Sequence, residues 1–106
     1  MNISKKRNRE LKLPLLIDLD GVLRIDKEPA PHIEEFFEYL KKSKRYACIL
    51  SNSTLSTAND VRQFFEFNGI HTKMPILTAS EAAAMYARSR YRRVAVYCTD
   101  HIKALF

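Results

Sequence analysis

The chain has 106 residues, of which 46% are hydrophobic and 28% are charged, and it contains only 2 glycines and 4 prolines. This balance is typical of a single folded domain and excludes collagen-like, low-complexity and disordered proteins. The formal net charge of +6 favours anionic partners, among them phosphates, nucleic acids and acidic surfaces, without choosing between them. No apolar run approaches the roughly 18 residues of a membrane span, so we expect no membrane partner.

The basic segment at residues 1–12 is predicted to be a flexible arm. Lys5, Lys6, Arg7 and Arg9 crowd together there without apolar periodicity. Such a cluster can bind nucleic acid, but no aromatic side chains interleave with it for base stacking. We therefore interpret the segment as a solvated tail.

The two cysteines, Cys48 and Cys98, each lie inside an apolar stretch and are predicted to be buried, reduced thiols. Their number and spacing fit neither a disulfide framework nor a zinc site. The basic N-terminus is not followed by an apolar stretch with the length and flanks of a secretory signal. These features predict a cytoplasmic protein.

The first half of the chain predicts two strands and a helix. The apolar run at 13–19 predicts a strand buried on both faces, and Pro14 fits at its start. The second strand is predicted at 46–50. Between them, a helix over 33–43 is predicted from four apolar side chains at helical spacing, namely Ile33, Phe36, Phe37 and Leu40.

The second half continues the alternation. A helix is predicted over 57–68, with its core stripe from Val61, Phe64, Phe65 and Phe67 and a C-terminal stop at Asn68-Gly69. Thr78 and Glu81 have the spacing of a capping box at the start of another helix that reaches about Arg90. The remaining predictions are an extended piece at 76–77, a third strand at 94–98 and the beginning of a helix over 100–106.

This alternation of strands and helices predicts an α/β layered fold with a parallel sheet and right-handed crossovers. In such sheets ligands bind beyond the carboxyl ends of the strands, so the residues that follow each strand are candidates for a site. Asp18 and Asp20 follow the first strand and point to one side of an extended chain, and Gly21 then allows a sharp turn. Two neighbouring carboxylates repel each other unless a cation offsets the repulsion, and Mg²⁺ favours such oxygen ligands together with phosphate oxygens.

The run Ser51-Asn52-Ser53 follows the second strand and offers hydroxyl, amide and backbone N–H groups to phosphate oxygens. The N-terminus of the following helix is predicted to point towards the same crevice. Each pattern also has an interpretation without chemistry, because the aspartates could form a turn and the serines could cap a helix. Their occurrence at successive strand ends favours the functional interpretation.

These residues carry a resemblance to a known family. The stretch 15–23, LLIDLDGVL, resembles the first motif of the haloacid dehalogenase superfamily, hhhhDxDGxh, and 50–53, LSNS, is similar to its second motif. The order of Pro29, Pro31, a helix, the Ser-Asn loop and a helix ending in Asn-Gly resembles the NagD-like phosphatases, which include nitrophenyl and phosphoglycolate phosphatases. The resemblance covers about residues 13–100.

The resemblance implies a Rossmann-like three-layer αβα core and Mg²⁺-dependent hydrolysis of a small phosphorylated metabolite. Asp18 would be the nucleophile that forms an aspartyl-phosphate and would also bind Mg²⁺. Asp20 would be the general acid and base, with its backbone carbonyl on the metal. Ser51 would hydrogen-bond the transferring phosphoryl group, and Asn52 would add a further contact.

Two later motifs of the family have no counterpart in this sequence: a Lys or Arg beside the nucleophile, and a further pair of acids for Mg²⁺. In NagD-like proteins both follow a cap domain that is inserted after the third strand. We therefore expect residues 13–106 to be a partial core without the cap and the C-terminal half, truncated and weakly active or inactive alone. The alternative function is a non-catalytic phosphate- or partner-binding module derived from this fold.

Two expectations about partners remain. Without neighbours on its outer side, the first strand becomes an exposed apolar edge, which predicts self-association. The arginines near the end of the chain suggest nucleic-acid binding, but we interpret them as a solvated helix end and loop, so nucleic acid is not an expected partner. These arginines are Arg88, Arg90, Arg92 and Arg93.

Overall fold

The computed structural model describes residues 13–106, so the predicted arm at 1–12 lies outside the described residues. No helix within 13–106 has the length and apolar character needed to cross a membrane. The elements in chain order are β1 (Leu15–Asp18), β2 (Arg24–Ile25), β3 (Glu28–Pro29), α1 (Ile33–Lys42), β4 (Ala47–Ser51), α2 (Ala58–Phe67), β5 (Ile76–Thr78), α3 (Ala79–Arg90) and α4 (Asp100–Lys103).

Three parallel strands form the main sheet, in the order β1–β4–β5. The register sets Asp18 opposite Leu50 and Ser51 opposite Thr78, so all three strands end at one edge, which we call the carboxyl edge. The predicted α/β fold with a parallel sheet is confirmed. The piece predicted at 76–77 is the strand β5, which occupies the outer position beside β4.

The core lies on one face of this sheet. Ile17 and Ile49 project from neighbouring strands, and Phe37 and Phe65 project from α1 and α2 towards them. The two rings meet edge to face with their centroids 5.5 Å apart. Phe65 is fully buried, which contributes about 1.5–3 kcal/mol relative to exposure. This packing fixes both helices against the sheet and therefore fixes the loops at its carboxyl edge.

The opposite face of the sheet is only partly covered. Leu16 is 69% exposed, whereas Cys48, its partner in the register, is half-buried. The prediction of a first strand buried on both faces is therefore wrong, because one face of β1 is open and, among residues 13–106, β1 lies at the edge of the sheet. The thiols of Cys48 and Cys98 are free as predicted, but both residues are half-buried and not buried.

Two further sequence predictions fail for physical reasons. Residues 94–98 form no strand, because a strand needs a neighbour for its backbone groups and this segment pairs with none of the described strands. Tyr97 within it is 96% exposed. Phe67 is 92% exposed and does not belong to the core stripe, since it is the last residue of α2 and points away from the sheet.

Candidate functional site

Asp18 is the last residue of β1 and lies at the carboxyl edge of the sheet. Ile17 before it and Leu19 after it are buried in the core, so the alternation of the strand turns the Asp18 side chain to the open face. Within the described part of the chain, its carboxylate has no hydrogen-bond or ion-pair partner. Asp18 therefore presents an exposed, uncommitted anion at this edge.

A tight turn after β1 brings the second aspartate to the same edge. The carbonyl of Leu19 accepts hydrogen bonds from three successive backbone N–H groups, those of residues 22–24, at 2.9–3.3 Å. Gly21 has a φ of +86°, a conformation that side chains with a Cβ disfavour, which is the physical reason for glycine here. Its N–H donates to the Arg24 carbonyl at 2.8 Å and closes the turn.

Asp20 is held by Arg24, a residue that the sequence analysis did not single out. The Arg24 guanidinium donates from Nε to Asp20 Oδ1 at 2.8 Å and from Nη2 to Oδ2 at 3.2 Å. The same guanidinium lies over the Phe64 ring, 5.1 Å from its centroid. An aspartate and an arginine four residues apart carried no helical signal in the sequence, and only the turn makes them neighbours.

Ser51 ends β4 and is almost fully buried, at 6% exposure. Side chains alternate along a strand, so Ser51 shares the core face with Ile49, whereas Asp18 lies on the open face with its partner Leu50. The Ser51 and Asp18 side chains therefore leave the sheet on opposite faces, although both residues lie at the same edge. Ser51 Oγ accepts a hydrogen bond from the Ser53 N–H at 3.1 Å, and its own hydroxyl proton stays available for donation. Asn52 is exposed at the same edge.

The loop after β4 is braced by residues from the end of β5 and the start of α3. Ser80 Oγ donates to the Ser56 carbonyl at 2.7 Å, and the Ser80 N–H donates to the Ser53 carbonyl at 3.3 Å. Thr78 Oγ1 lies 2.9 Å from Ser80 Oγ and is almost completely buried. The loop that carries Asn52 is therefore fixed before any ligand arrives.

The N-terminus of α2, which is predicted to point towards the same crevice, has backbone donors that side chains of the chain already occupy. The Thr57 N–H donates to Asp60 Oδ2 at 2.8 Å, and the Ala58 N–H donates to Glu81 Oε1 at 2.6 Å. The Asp60 N–H in turn donates to Thr57 Oγ1 at 3.1 Å. Three N–H groups of this helix end are therefore engaged within the chain, and its predicted orientation towards the crevice stays a prediction.

Asp60 also contacts the end of the chain. Its Oδ2 lies 2.8 Å from His101 Nε2. The hydrogen bond from the Thr57 backbone N–H lowers the pKa of Asp60 below its ordinary value of 3.8, and His101 lowers the pKa further, while partial burial opposes both effects. Asp60 is thus a carboxylate in its folded setting at neutral pH.

The fit of the edge to a divalent cation depends on Asp18. Residues 13–106 contain no group of three or more His, Cys, Asp or Glu side chains that could enclose a metal ion. Mg²⁺ commonly keeps several waters and binds through one or two carboxylates together with substrate phosphate oxygens. The uncommitted Asp18 carboxylate fits that mode, whereas both oxygens of Asp20 are engaged by Arg24.

A concavity of about 890 Å³ lies at the other end of the sheet. It borders the start of β4 at Tyr46 and Ala47 and the start of β5 at Pro75. Neither Asp18, Asp20 nor the loop after β4 lines it. We therefore assign the candidate site to the carboxyl edge, where the strands that carry Asp18 and Ser51 end.

A comparison with protein families matches residues 15–106 to the haloacid dehalogenase-like hydrolases. The chain belongs to this family. The match begins with β1 and includes the carboxyl edge with the turn that carries Asp18 and Asp20. A comparison with curated protein sequences finds no significant match.

Solved structures confirm the predicted resemblance to NagD-like proteins at the level of the fold. The chain is similar to a 4-nitrophenylphosphatase from Thermotoga maritima, with a TM-score of 0.79, 22% identity and coverage of 92% of this chain and 38% of that one. NagD from E. coli K-12 is similar with a TM-score of 0.67 and 24% identity, and the match covers 89% of this chain and 38% of that one. A p-nitrophenyl phosphatase from Archaeoglobus fulgidus is similar with a TM-score of 0.65 and 26% identity, and the match covers 74% of this chain and 31% of that one. The chain thus spans about a third of the length of these proteins.

Proposed function

We propose that this haloacid dehalogenase-like chain is the core of a Mg²⁺-dependent phosphohydrolase that acts on a small phosphorylated metabolite. The single observation that carries the proposal is the uncommitted Asp18 carboxylate at the carboxyl edge, next to the fixed loop that begins at Ser51. Membership of the family supports the reaction class. The phosphatase names of two structural neighbours agree with it.

In the proposed reaction, an Asp18 carboxylate oxygen attacks phosphorus and forms an aspartyl-phosphate, while the bond from phosphorus to the leaving oxygen breaks. For this step Asp20 releases at least one of its bonds to Arg24 and takes up a proton, which it gives to that leaving oxygen. Water then attacks the phosphorus, Asp20 takes a proton from this water, and the Asp18 carboxylate and inorganic phosphate are released. Bound Mg²⁺ would reduce the repulsion between the anionic nucleophile and the anionic phosphate.

The Asp18 carboxylate and the backbone carbonyl of Asp20 would hold the cation. Ser51 would donate its hydroxyl proton to a phosphoryl oxygen while it accepts from Ser53, and Asn52 would contact a second oxygen from the exposed loop. Because residues 13–106 offer no acidic cluster around Asp18, we propose weak turnover for a truncated core of this kind.

The two free thiols support a reducing, cytoplasmic setting.

The alternative proposal is a non-catalytic module that binds phosphate or a partner. The observation that favours it is the engagement of both Asp20 oxygens by Arg24, which leaves one free carboxylate at the edge. Binding of phosphate or of a phosphate analogue with Mg²⁺ but without turnover would support this alternative.

The test is hydrolysis of p-nitrophenyl phosphate with and without Mg²⁺ by the wild type and by Asp18→Asn. We expect activity that requires Mg²⁺ and falls at least about a hundredfold in Asp18→Asn, because the nucleophile is lost. Glu38→Gln, a change at an exposed acid on α1, is the matched control and should keep wild-type activity. Equal rates in the wild type and Asp18→Asn would end the catalytic assignment.

A further inference from the structure

Arg24 is fixed in place by its own surroundings. Its N–H donates to the Leu19 carbonyl at 2.9 Å, and its carbonyl accepts from the Gly21 N–H at 2.8 Å. Its side chain is only 21% exposed and lies over the Phe64 ring. An ordinary exposed ion pair contributes little to stability because both side chains remain mobile. This pair differs in having a two-point contact and a guanidinium held from below by an aromatic ring.

The contact decides what the two acids of the motif can do. A carboxylate whose oxygens both accept from a guanidinium must give up at least one of those bonds before it can bind a cation. The guanidinium also repels a cation that approaches Asp20. Asp18 has no such partner within the described residues. The two acids therefore differ in their availability, although they lie two residues apart.

We propose that Arg24 is a positioning residue that holds the Asp20 carboxylate away from a divalent cation at the carboxyl edge. This inference rests on the proposed Mg²⁺ site and deepens it. It assigns a role to a residue outside the motif that identified the family. On this proposal, Mg²⁺ prefers the Asp18 carboxylate to that of Asp20 because Arg24 engages Asp20.

The test is a set of Mg²⁺ affinities measured by isothermal titration calorimetry on the chain without substrate. We expect Asp18→Asn to weaken binding by at least about tenfold, and Asp20→Asn to change it by less than about threefold. Arg24→Gln removes the repulsion and frees Asp20, so it should strengthen binding by about fivefold or more. The double variant Arg24→Gln, Asp20→Asn should lose that gain.

The matched control is Lys41→Gln, which removes the same charge from an exposed position on α1 and should leave Mg²⁺ affinity unchanged. If Arg24→Gln binds Mg²⁺ no better than the wild type, or if its gain survives Asp20→Asn, the inference is overturned. If the wild type binds no Mg²⁺ but Arg24→Gln gains binding that depends on Asp20, the inference holds and the proposed Mg²⁺ site of the native chain fails. If no variant binds Mg²⁺, both fail.

A second readout needs no metal and no activity. The ¹⁵N-edited NMR signal of Arg24 Nε–H reports its bond to Asp20 Oδ1 directly. We expect Asp20→Asn to shift this signal and speed its exchange with water, and Asp18→Asn to leave it in place. The positioning role would be contradicted if the shift and exchange rate of the Nε–H signal were unchanged in Asp20→Asn, or if they changed equally in both variants.

Discussion

The Nε2 atom of His101 lies 2.8 Å from Oδ2 of Asp60, and this bond joins α4 to the first turn of α2. The same Asp60 oxygen accepts from the Thr57 backbone N–H. One carboxylate therefore caps a helix and anchors a segment about forty residues later in the chain. Its charge state should affect both contacts together.

Asp60→Asn tests this linkage through pH. The pKa of Asp60 is lowered in the folded chain, so the charged form contributes stability above pH 3.8, and this contribution is lost as the pH falls through the lower folded pKa. We expect Asp60→Asn to unfold at lower urea concentration than the wild type at about pH 7, by no more than about 1 kcal/mol. The difference should shrink towards zero at about pH 2–3. A difference of constant size over this range would show that the charge is not the cause.

Glu81 should stabilise the chain through a contact between two helices. Its carboxylate accepts from the Ala58 N–H at the start of α2, although Glu81 itself belongs to the first turn of α3. We expect Glu81→Ala to lower the free energy of unfolding by about 1–2 kcal/mol, because a charge-assisted hydrogen bond is lost and a helix donor is left without its partner. Glu66→Ala, at an exposed site on α2, is the control for lost charge and should cost less than about 0.5 kcal/mol.

The open edge of β1 predicts self-association. Leu16 is 69% exposed on an edge strand, and an apolar edge can pair with the edge of a second copy. We expect the wild type to form dimers or larger species in sedimentation velocity as its concentration rises. Leu16→Lys, which places a charge on the edge, should shift the distribution towards monomer. A wild type that stays monomeric at all concentrations would refute this prediction.

Local patterns were enough to predict the helices and the DxDG turn. The stripes of α1 and α2 contain buried Phe37 and Phe65 as expected, and Gly21 adopts the conformation that only glycine tolerates well. Those features depend on residues a few positions apart. The sequence alone therefore carries the information for them.

The missed features depend on distant partners. Hydrophobicity does not reveal which strand is at an edge, so the exposure of Leu16 could not be read from its neighbours. Glu81 has the spacing of a local cap, and the Thr78 side chain does accept from the Glu81 N–H, but the Glu81 carboxylate binds Ala58, 23 residues earlier. Arg24 meets Asp20 only because a turn folds the chain back on itself.

The bracing of the loop after β4 sets an order in which the site can be completed during synthesis. Asp18 and Asp20 leave the ribosome early, but the loop with Asn52 is fixed through Ser80, which lies 24 residues beyond its acceptor Ser56. A nascent chain that stops short of Ser80 therefore carries both acids without the fixed loop after β4 that is proposed to contact a phosphate. Under the proposed function, competence for phosphate binding would be gained only when α3 has been translated and has docked.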